Sequence, residues 1–451
     1  MSTTPPDGVR STAAAVHEPS TETAAQAQVR QRKMALAAIV GTAVEWYDFY
    51  LYAAMASIVF ATVFFPSGDP QLAALQSFAT FAVGFLARPI GGIVFGSLGD
   101  RIGRKRTLVM TFGLMGVSTG LIGLIPDFQT IGVWAPVLLV FFRIMQGLGA
   151  GAEFASAAVA SYEHADASRR GSMGSWPALG MNVGLVMSSA TVFVLSMFGD
   201  DFLFSIGWRI PFVASFLLVA VGMWVRASVP ETADFAREVE QHKKPKFPLL
   251  QLMKNDWRGL TIVIVIALGY TSISYIFKTF SLAYLTQFQG VPSSTSSLGV
   301  TLAGILAVIV IPFLGRLCDR WSSKIVLILG GILSGLWAWA FLLLLGNGDT
   351  WAIWTALIVG SGLLVPMMIA AQGSFYSRQF PVATRSSGVG SAREFGTAVS
   401  GAIAPLGALA LVTASPTNST FGVGIVLTAS AVLVVVPALL DQGRRHSTTK
   451  N

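Results

Sequence analysis

The sequence predicts an all-α integral membrane protein with twelve transmembrane helices in two pseudo-symmetric six-helix bundles. Three observations carry this. Hydrophobic residues make up 53% of the 451-residue chain and charged residues only 12%, about half the charged share of an average soluble domain. Apolar runs approaching the ~20 residues a bilayer span needs recur along the whole chain. A short basic segment also occurs twice: Gly96, Asp100, Arg101 and Lys105 align with Gly315, Asp319, Arg320 and Lys324 at a constant offset of 219 residues. Self-similarity over half of a membrane chain indicates two related halves.

Taken in order, residues 1–33 are polar and rich in Ala, Thr and Ser. They lack the apolar core and small-residue cleavage site of a signal peptide and read as a disordered cytosolic tail. Six spans follow at 34–64, 71–98, 107–125, 135–162, 173–198 and 207–227, forming a first bundle over 34–227. The stretch 228–258 is the one long polar interior connection, with Glu231, Asp234, Arg237, Glu238, Lys243, Lys244 and Lys246. It reads as a cytosolic linker carrying a short amphipathic helix. A second bundle occupies 259–440, with spans at 259–287, 296–318, 324–346, 351–376, 386–414 and 420–440, and 441–451 form a short tail. The 46 glycines suit closely packed or kinked membrane helices. A weaker echo of the repeat relates Arg169, Arg170 and Gly171 to Arg385 through Gly388.

The net charge of +8 would ordinarily raise nucleic acid as a partner, but its placement argues against that. No Lys or Arg falls in the alternate loops 65–70, 126–134, 199–206, 288–295, 347–350 and 415–419. Arg88, Arg143, Arg209, Lys278 and Arg393 lie inside spans. The rest occupy the tails, the other loops and the span ends beside them. This is the positive-inside pattern with both termini in the cytosol, and it favours anionic lipid headgroups as neighbours.

Other chemistries lack their residues. The single cysteine, Cys318, permits no intrachain disulfide and no cysteine metal cluster. All four histidines lie in loops or tails, so no histidine metal site or Ser-His pair falls within a span. No Walker-type loop is present. No metal, no cofactor and no enzymatic activity are expected.

Each charge inside a span costs ~2.5–3.5 kcal/mol on insertion scales and needs a reason. Glu45 and Asp48 share a helix face, about 16–21 Å into the first span at 1.5 Å per residue. Either is a candidate to carry a coupling proton, or both pair with Arg88 or Arg143 and only hold helices together. Arg143, Gln146 and Glu153 form one stripe of the fourth span. Arg143 is assigned to a water-filled cavity, while Glu153 stands between a proton site and a brace. Lys278 has no acidic neighbour in sequence and lies ~29 Å along its helix, at a depth similar to Arg143. Two cations facing one cavity would suit an anionic solute, with Phe277, Phe280 and Tyr284 beside Lys278; the alternative is that Lys278 snorkels to the interface. Arg393 and Glu394 are adjacent, point ~100° apart and need not pair with each other. They stand between an inner-gate ion pair and interfacial solvation.

Several segments together resemble the major facilitator superfamily, and more narrowly its metabolite:proton symporter branch, which includes permeases for 2-oxoglutarate, shikimate, citrate and proline or betaine. They are Glu45–Tyr50, Phe64–Gly68, Arg88–Gly92, Phe95 through Lys105, Arg143–Gly147 with Gly151 and Glu153, and Trp208–Phe212. The likeness is strongest before residue 230. This chain departs from the branch at Thr42 and Ala152, and Lys278 and the Arg393–Glu394 pair fall outside its common pattern. The resemblance implies that the repeated loop (Asp100, Arg101, Arg104, Lys105, Asp319, Arg320) latches one conformation. Because Ser322 and Ser323 stand where Gly103 and Arg104 stand in the first copy, the first copy is expected to carry more of that role.

The resulting expectation is a secondary active transporter, acting as a monomer in a bacterial inner membrane. It takes up a small organic anion with protons, by rocking of the two bundles. Candidate proton carriers are Glu45, Asp48 and Glu153; candidate substrate contacts are Arg143, Gln146, Lys278, Tyr47 and Phe277; Arg393 and Glu394 form a candidate inner gate. Proton-coupled export, or symport of a zwitterion such as proline or betaine, stays open.

Overall fold

The structure is a computed structural model and describes residues 24–66, 69–102, 104–151, 158–159, 161–163, 165–228 and 248–441. Twelve helical spans, α1–α12, are found among them. In the first half these are α1 (Ala24–Ile58), α2 (Pro70–Ile102), α3 (Arg104–Ile122), α4 (Trp134–Gly149), α5 (Arg170–Ser196) and α6 (Arg209–Ser228). In the second they are α7 (Trp257–Phe288), α8 (Ser293–Arg320), α9 (Ser323–Gly346), α10 (Thr350–Ser377), α11 (Arg385–Thr413) and α12 (Phe421–Leu440). Eight are long and apolar enough to cross a bilayer on length and composition alone, and a bent pair, Asp200–Gly207 with Arg209–Ala220, makes a ninth.

Two boundaries differ from expectation. Helix α1 begins at Ala24, inside the stretch read as a disordered tail. Residues 24–33 are mostly Ala, Gln, Arg and Lys, all strong helix formers that extend a helix already nucleated by the span. The described part of α4 ends at Gly149, with Ala150 as its C-cap, while the predicted span ran to 162. The linker carries a helix at Pro248–Asn255, where a short amphipathic one was expected.

The two halves repeat one packing order. The first helix of each half packs on the fifth (α1 on α5, α7 on α11), the second on the fourth and the third on the sixth. Between halves, α2 packs on α11 and α5 on α8, pairs that exchange under the two-fold relation. Glycine permits the closest crossings: a Cβ on Gly184 would meet the Ala43 carbonyl oxygen at 2.5 Å, and one on Gly396 the Ile264 carbonyl oxygen at 2.6 Å. Outward faces are apolar, with Ile93, Leu217, Leu336 and Leu343 exposed where lipid would lie.

The bundles touch at both ends. One end, called here the basic end, gathers Arg169, Arg170, Arg320, Lys324, Arg378 and Arg385. There the Asp319 carboxylate accepts from the Gly171 and Ser172 amides at 2.6 and 3.1 Å and from the Ser172 hydroxyl, capping the start of α5 from the end of α8. Arg385 also pairs with Glu163 at 2.7 Å. At the distal end, Gln287 of α7 donates to the Ser57 carbonyl of α1 at 2.7 Å. Helix α7 has π-helical turns at Ile276–Phe280 and Tyr284–Phe288. The Ser281 hydroxyl donates back to the Ile276 carbonyl at 3.0 Å and satisfies one group that such a turn frees.

Candidate functional site

The polar interior begins on α1, where Glu45 and Asp48 sit one turn apart and both are fully buried. Their surroundings are unlike. Arg88 of α2 donates from Nη2 to Glu45 at 3.4 Å and from Nε to Glu394 of α11 at 3.0 Å. Glu394 in turn accepts from Arg393 at 2.7 Å. Among the described residues, two arginines and two glutamates thus join in one cluster that ties α1 and α2 to α11, across the bundle interface. The Arg88 guanidinium also lies against the Trp46 and Phe49 rings, 5.4 and 4.8 Å from their centroids. Helical spacing left open whether these adjacent residues pair; they do, since the long Arg393 side chain covers the angular offset. Burial at 2% and 4% exposure leaves the two no bulk water to prefer, which replaces the reading of interfacial solvation.

Among the described residues, no cation lies within ion-pair distance of Asp48. Its oxygens accept from the hydroxyls of Thr119 on α3 at 3.0 Å and Ser215 on α6 at 2.9 Å. The Thr119 hydroxyl accepts from Gln146 at 2.9 Å, and Gln146 accepts from Arg143. A hydrogen-bonded chain therefore runs Arg143, Gln146, Thr119, Asp48, Ser215, entirely inside the first bundle. Arg143 is stacked among Phe49, Tyr52 and Phe81, with its guanidinium 3.9 Å from the Tyr52 ring centroid. Its Nε and Nη2 make no hydrogen bond. Gly84 makes room for it, since a Cβ there would fall 2.2 Å from Arg143 Nε. A buried cation with open donors can receive an anionic group; a buried carboxylate held by neutral hydroxyls can lose its charge without abandoning an ion pair.

Lys278 lies in the first π-turn of α7 and is 3% exposed, so it does not snorkel to an interface. Its ammonium donates to the Tyr50 hydroxyl of α1 at 3.4 Å and meets no carboxylate among the described residues. A small cavity between α1, α5, α7 and α8 opens beside it. Arg143 is not among the residues that line the cavity beside Lys278, so this arrangement does not place the two cations in the single cavity expected to hold both. Tyr50 and Tyr52, two residues apart on α1, face opposite ways and separate them.

A protein-family model described as Major Facilitator Superfamily matches residues 38–405 and 262–451. The chain belongs to the Major Facilitator Superfamily. This transporter is 36% identical over 417 residues to the shikimate transporter of Escherichia coli K12, covering 91% of this chain and 94% of that protein. It is 30% identical to the proline/betaine transporter of the same strain, over 82% and 76% of the two chains. Its fold matches a crystal structure of a D-xylose-proton symporter with a TM-score of 0.66 and 18% identity, covering 91% and 96% of the two chains. It is thus a multi-pass membrane transporter and not an enzyme.

The remaining expected residues fall as follows. Phe277 packs inside the second bundle, 4.4 Å centroid to centroid from Phe341 and against Gly360. It points away from the Lys278 cavity because one residue along a helix turns the side chain by ~100°, which corrects its placement as a substrate contact. Tyr47 is buried at the α1–α5 crossing, beside Gly184. Arg209 lies at the distal end and donates to the Gly123 and Ile125 carbonyls, capping α3. Asp319 bridges the bundles, while Arg320 is exposed in a surface recess with Arg169 and Arg316. Glu153 lies outside the described residues, as do the side chains of Asp100, Arg101, Arg104 and Lys105. Sequence reading passed over Thr119, Ser215 and Tyr50, because a lone hydroxyl in an apolar run carries no signal of its partner.

Proposed function

We propose that this transporter carries a small organic anion, of carboxylate type, together with one or more protons into the cell by alternating access. The observation that carries the anion is Lys278, a buried ammonium between the bundles with a tyrosine hydroxyl as its partner and no acid among the described residues. Asp48 is the coupling carboxylate of this reading, because its partners are neutral hydroxyls and gaining a proton breaks no ion pair. Gln146 and Thr119 link it to Arg143, whose guanidinium sets the charge environment of the coupling carboxylate. The Glu45–Arg88–Glu394–Arg393 cluster acts as the inner gate, since opening the basic end pulls Arg88 from Glu394. The basic end faces the cytosol, as the Lys and Arg distribution indicates, and the chain acts as a monomer in a bacterial inner membrane. The shikimate-carrying relative supports a carboxylate; the proline/betaine relatives favour the zwitterion alternative.

The test is a screen of labelled carboxylates, polyols and betaines in proteoliposomes, with and without an inward proton gradient. Carboxylate uptake enhanced by the gradient is expected. Uptake that ignores the gradient would remove the coupling, and a betaine preference untouched by Lys278→Ala would remove the anion.

A further inference from the structure

We infer that the cavity at Lys278 is a subsite for a single carboxylate, and that the solute is a monocarboxylate with an uncharged remainder. This deepens the organic-anion reading above and rests on it. Both bundles wall the cavity: Tyr50, Ser188 and Ser189 from the first, Lys278, Thr279 and Ser297 from the second.

Two independent observations point to a ligand there. Among the described residues Lys278 has one polar partner, a neutral hydroxyl at 3.4 Å, although an ammonium carries three donors. Ser188 is 1% exposed and its hydroxyl has no hydrogen-bond partner. Its neighbours differ: Ser189 donates to the Leu185 carbonyl at 2.8 Å and Ser297 to the Ser293 carbonyl at 2.6 Å, each one turn back. A buried hydroxyl and a buried ammonium left open destabilise the fold unless something completes them. Both can donate into the same space, so the complement is an acceptor bearing negative charge.

The charge count sets the class. No acid lines the cavity among the described residues, and one ammonium balances one negative charge. Arg143 does not line this cavity, so a second carboxylate within it would be left against apolar wall such as Leu185, Val192 and Val300, uncompensated. The cavity is small, suited to a carboxylate head with the body of the solute along the bundle interface. Because its walls come from both halves, an occupied site ties α1 and α5 to α7 and α8, and so favours the closed arrangement.

Chloride shares this chemistry, and the test separates the two sources. The full-length protein in nanodiscs, in sodium sulfate at neutral pH, is titrated with formate, acetate, malonate and chloride while its thermal unfolding midpoint is read. Formate and acetate should raise the midpoint saturably, and malonate should need far higher concentrations. Lys278→Gln should abolish the effect. Ser188→Ala should raise the half-saturating acetate concentration about tenfold, as loss of one hydrogen bond to a charged group implies, and Ser188→Thr should restore it. Malonate as effective as acetate, an unchanged titration in both variants, or saturation by chloride that acetate does not compete with, would each overturn the subsite. Labelled carboxylate uptake that persists alongside such a result removes the subsite alone; its absence from the proteoliposome screen removes the anion reading itself.

Discussion

Glu45 and Asp48 stand one turn apart on α1, yet belong to two regions built on opposite principles. Around Glu45, four charged side chains of the described residues pair with one another, and the Arg88–Glu394 pair crosses the bundle interface. Around Asp48, one carboxylate is held by Thr119 and Ser215 inside a single bundle. The first region includes one ion pair, Arg88–Glu394, that spans the two bundles; the second draws all its named partners from one bundle. A gate needs the first arrangement. A proton carrier, which must change charge without unlocking the fold, needs the second. Helical spacing placed both carboxylates on one face, and only their partners tell them apart.

The comparison can be broken most directly at Asp48. Asp48→Asn should abolish gradient-driven accumulation while leaving solute exchange across the membrane intact, read as counterflow in proteoliposomes. Counterflow lost together with accumulation would mean that Asp48 serves the fold instead. At the other region, Glu394→Gln should cost about 3–5 kcal/mol of stability, because removing one partner strands buried charge; a lowered unfolding midpoint in detergent checks it. Adding Arg88→Met should recover part of that loss, and no recovery would mean that the pair does not act as a unit.

Gly84→Ala sharpens the comparison at the Arg143 end of the chain. Its Cβ would fall 2.2 Å from Arg143 Nε, so the guanidinium must move from its aromatic box. Uptake should fall sharply with little loss of expression, measured as transport per correctly inserted protein. The smallest effect is expected at the α5 cap. Asp319→Ala should cost about 1 kcal/mol, the usual worth of a helix N-cap, and shift the protein toward opening at the basic end, seen as faster labelling of a cysteine placed at Ser172. The degraded second copy of the repeat led to the expectation that Asp100→Ala impairs transport more than Asp319→Ala. Asp319 nevertheless takes three donors across the interface, so labelling both variants decides whether the copies share the load.

Much of this molecule was legible in the chain. Twelve apolar runs, the 219-residue repeat and the one-sided placement of Lys and Arg were enough for the fold. The buried charges were legible as well, because a charge in an apolar run stands out against its insertion cost. Their partners were not. Arg88 meets Glu394 across 306 residues of sequence and Asp48 meets Ser215 across 167; only the packing of α2 on α11 and of α1 on α6 creates these pairs. Phe277 was misread because its neighbour Lys278 faces the interface, and adjacent positions on a helix face different surroundings. The start of α1 was missed because a polar composition reads as tail even where nearly every residue is a strong helix former.

The central claim is that Asp48, and not Glu45, carries the proton. The direct measurement is substrate-driven proton influx into proteoliposomes, followed with an internal pH dye, for Asp48→Asn and Glu45→Gln side by side. The account predicts that Glu45→Gln still acidifies the lumen when substrate is added, and that Asp48→Asn moves substrate without protons. Acidification by Asp48→Asn at the wild-type rate would contradict it.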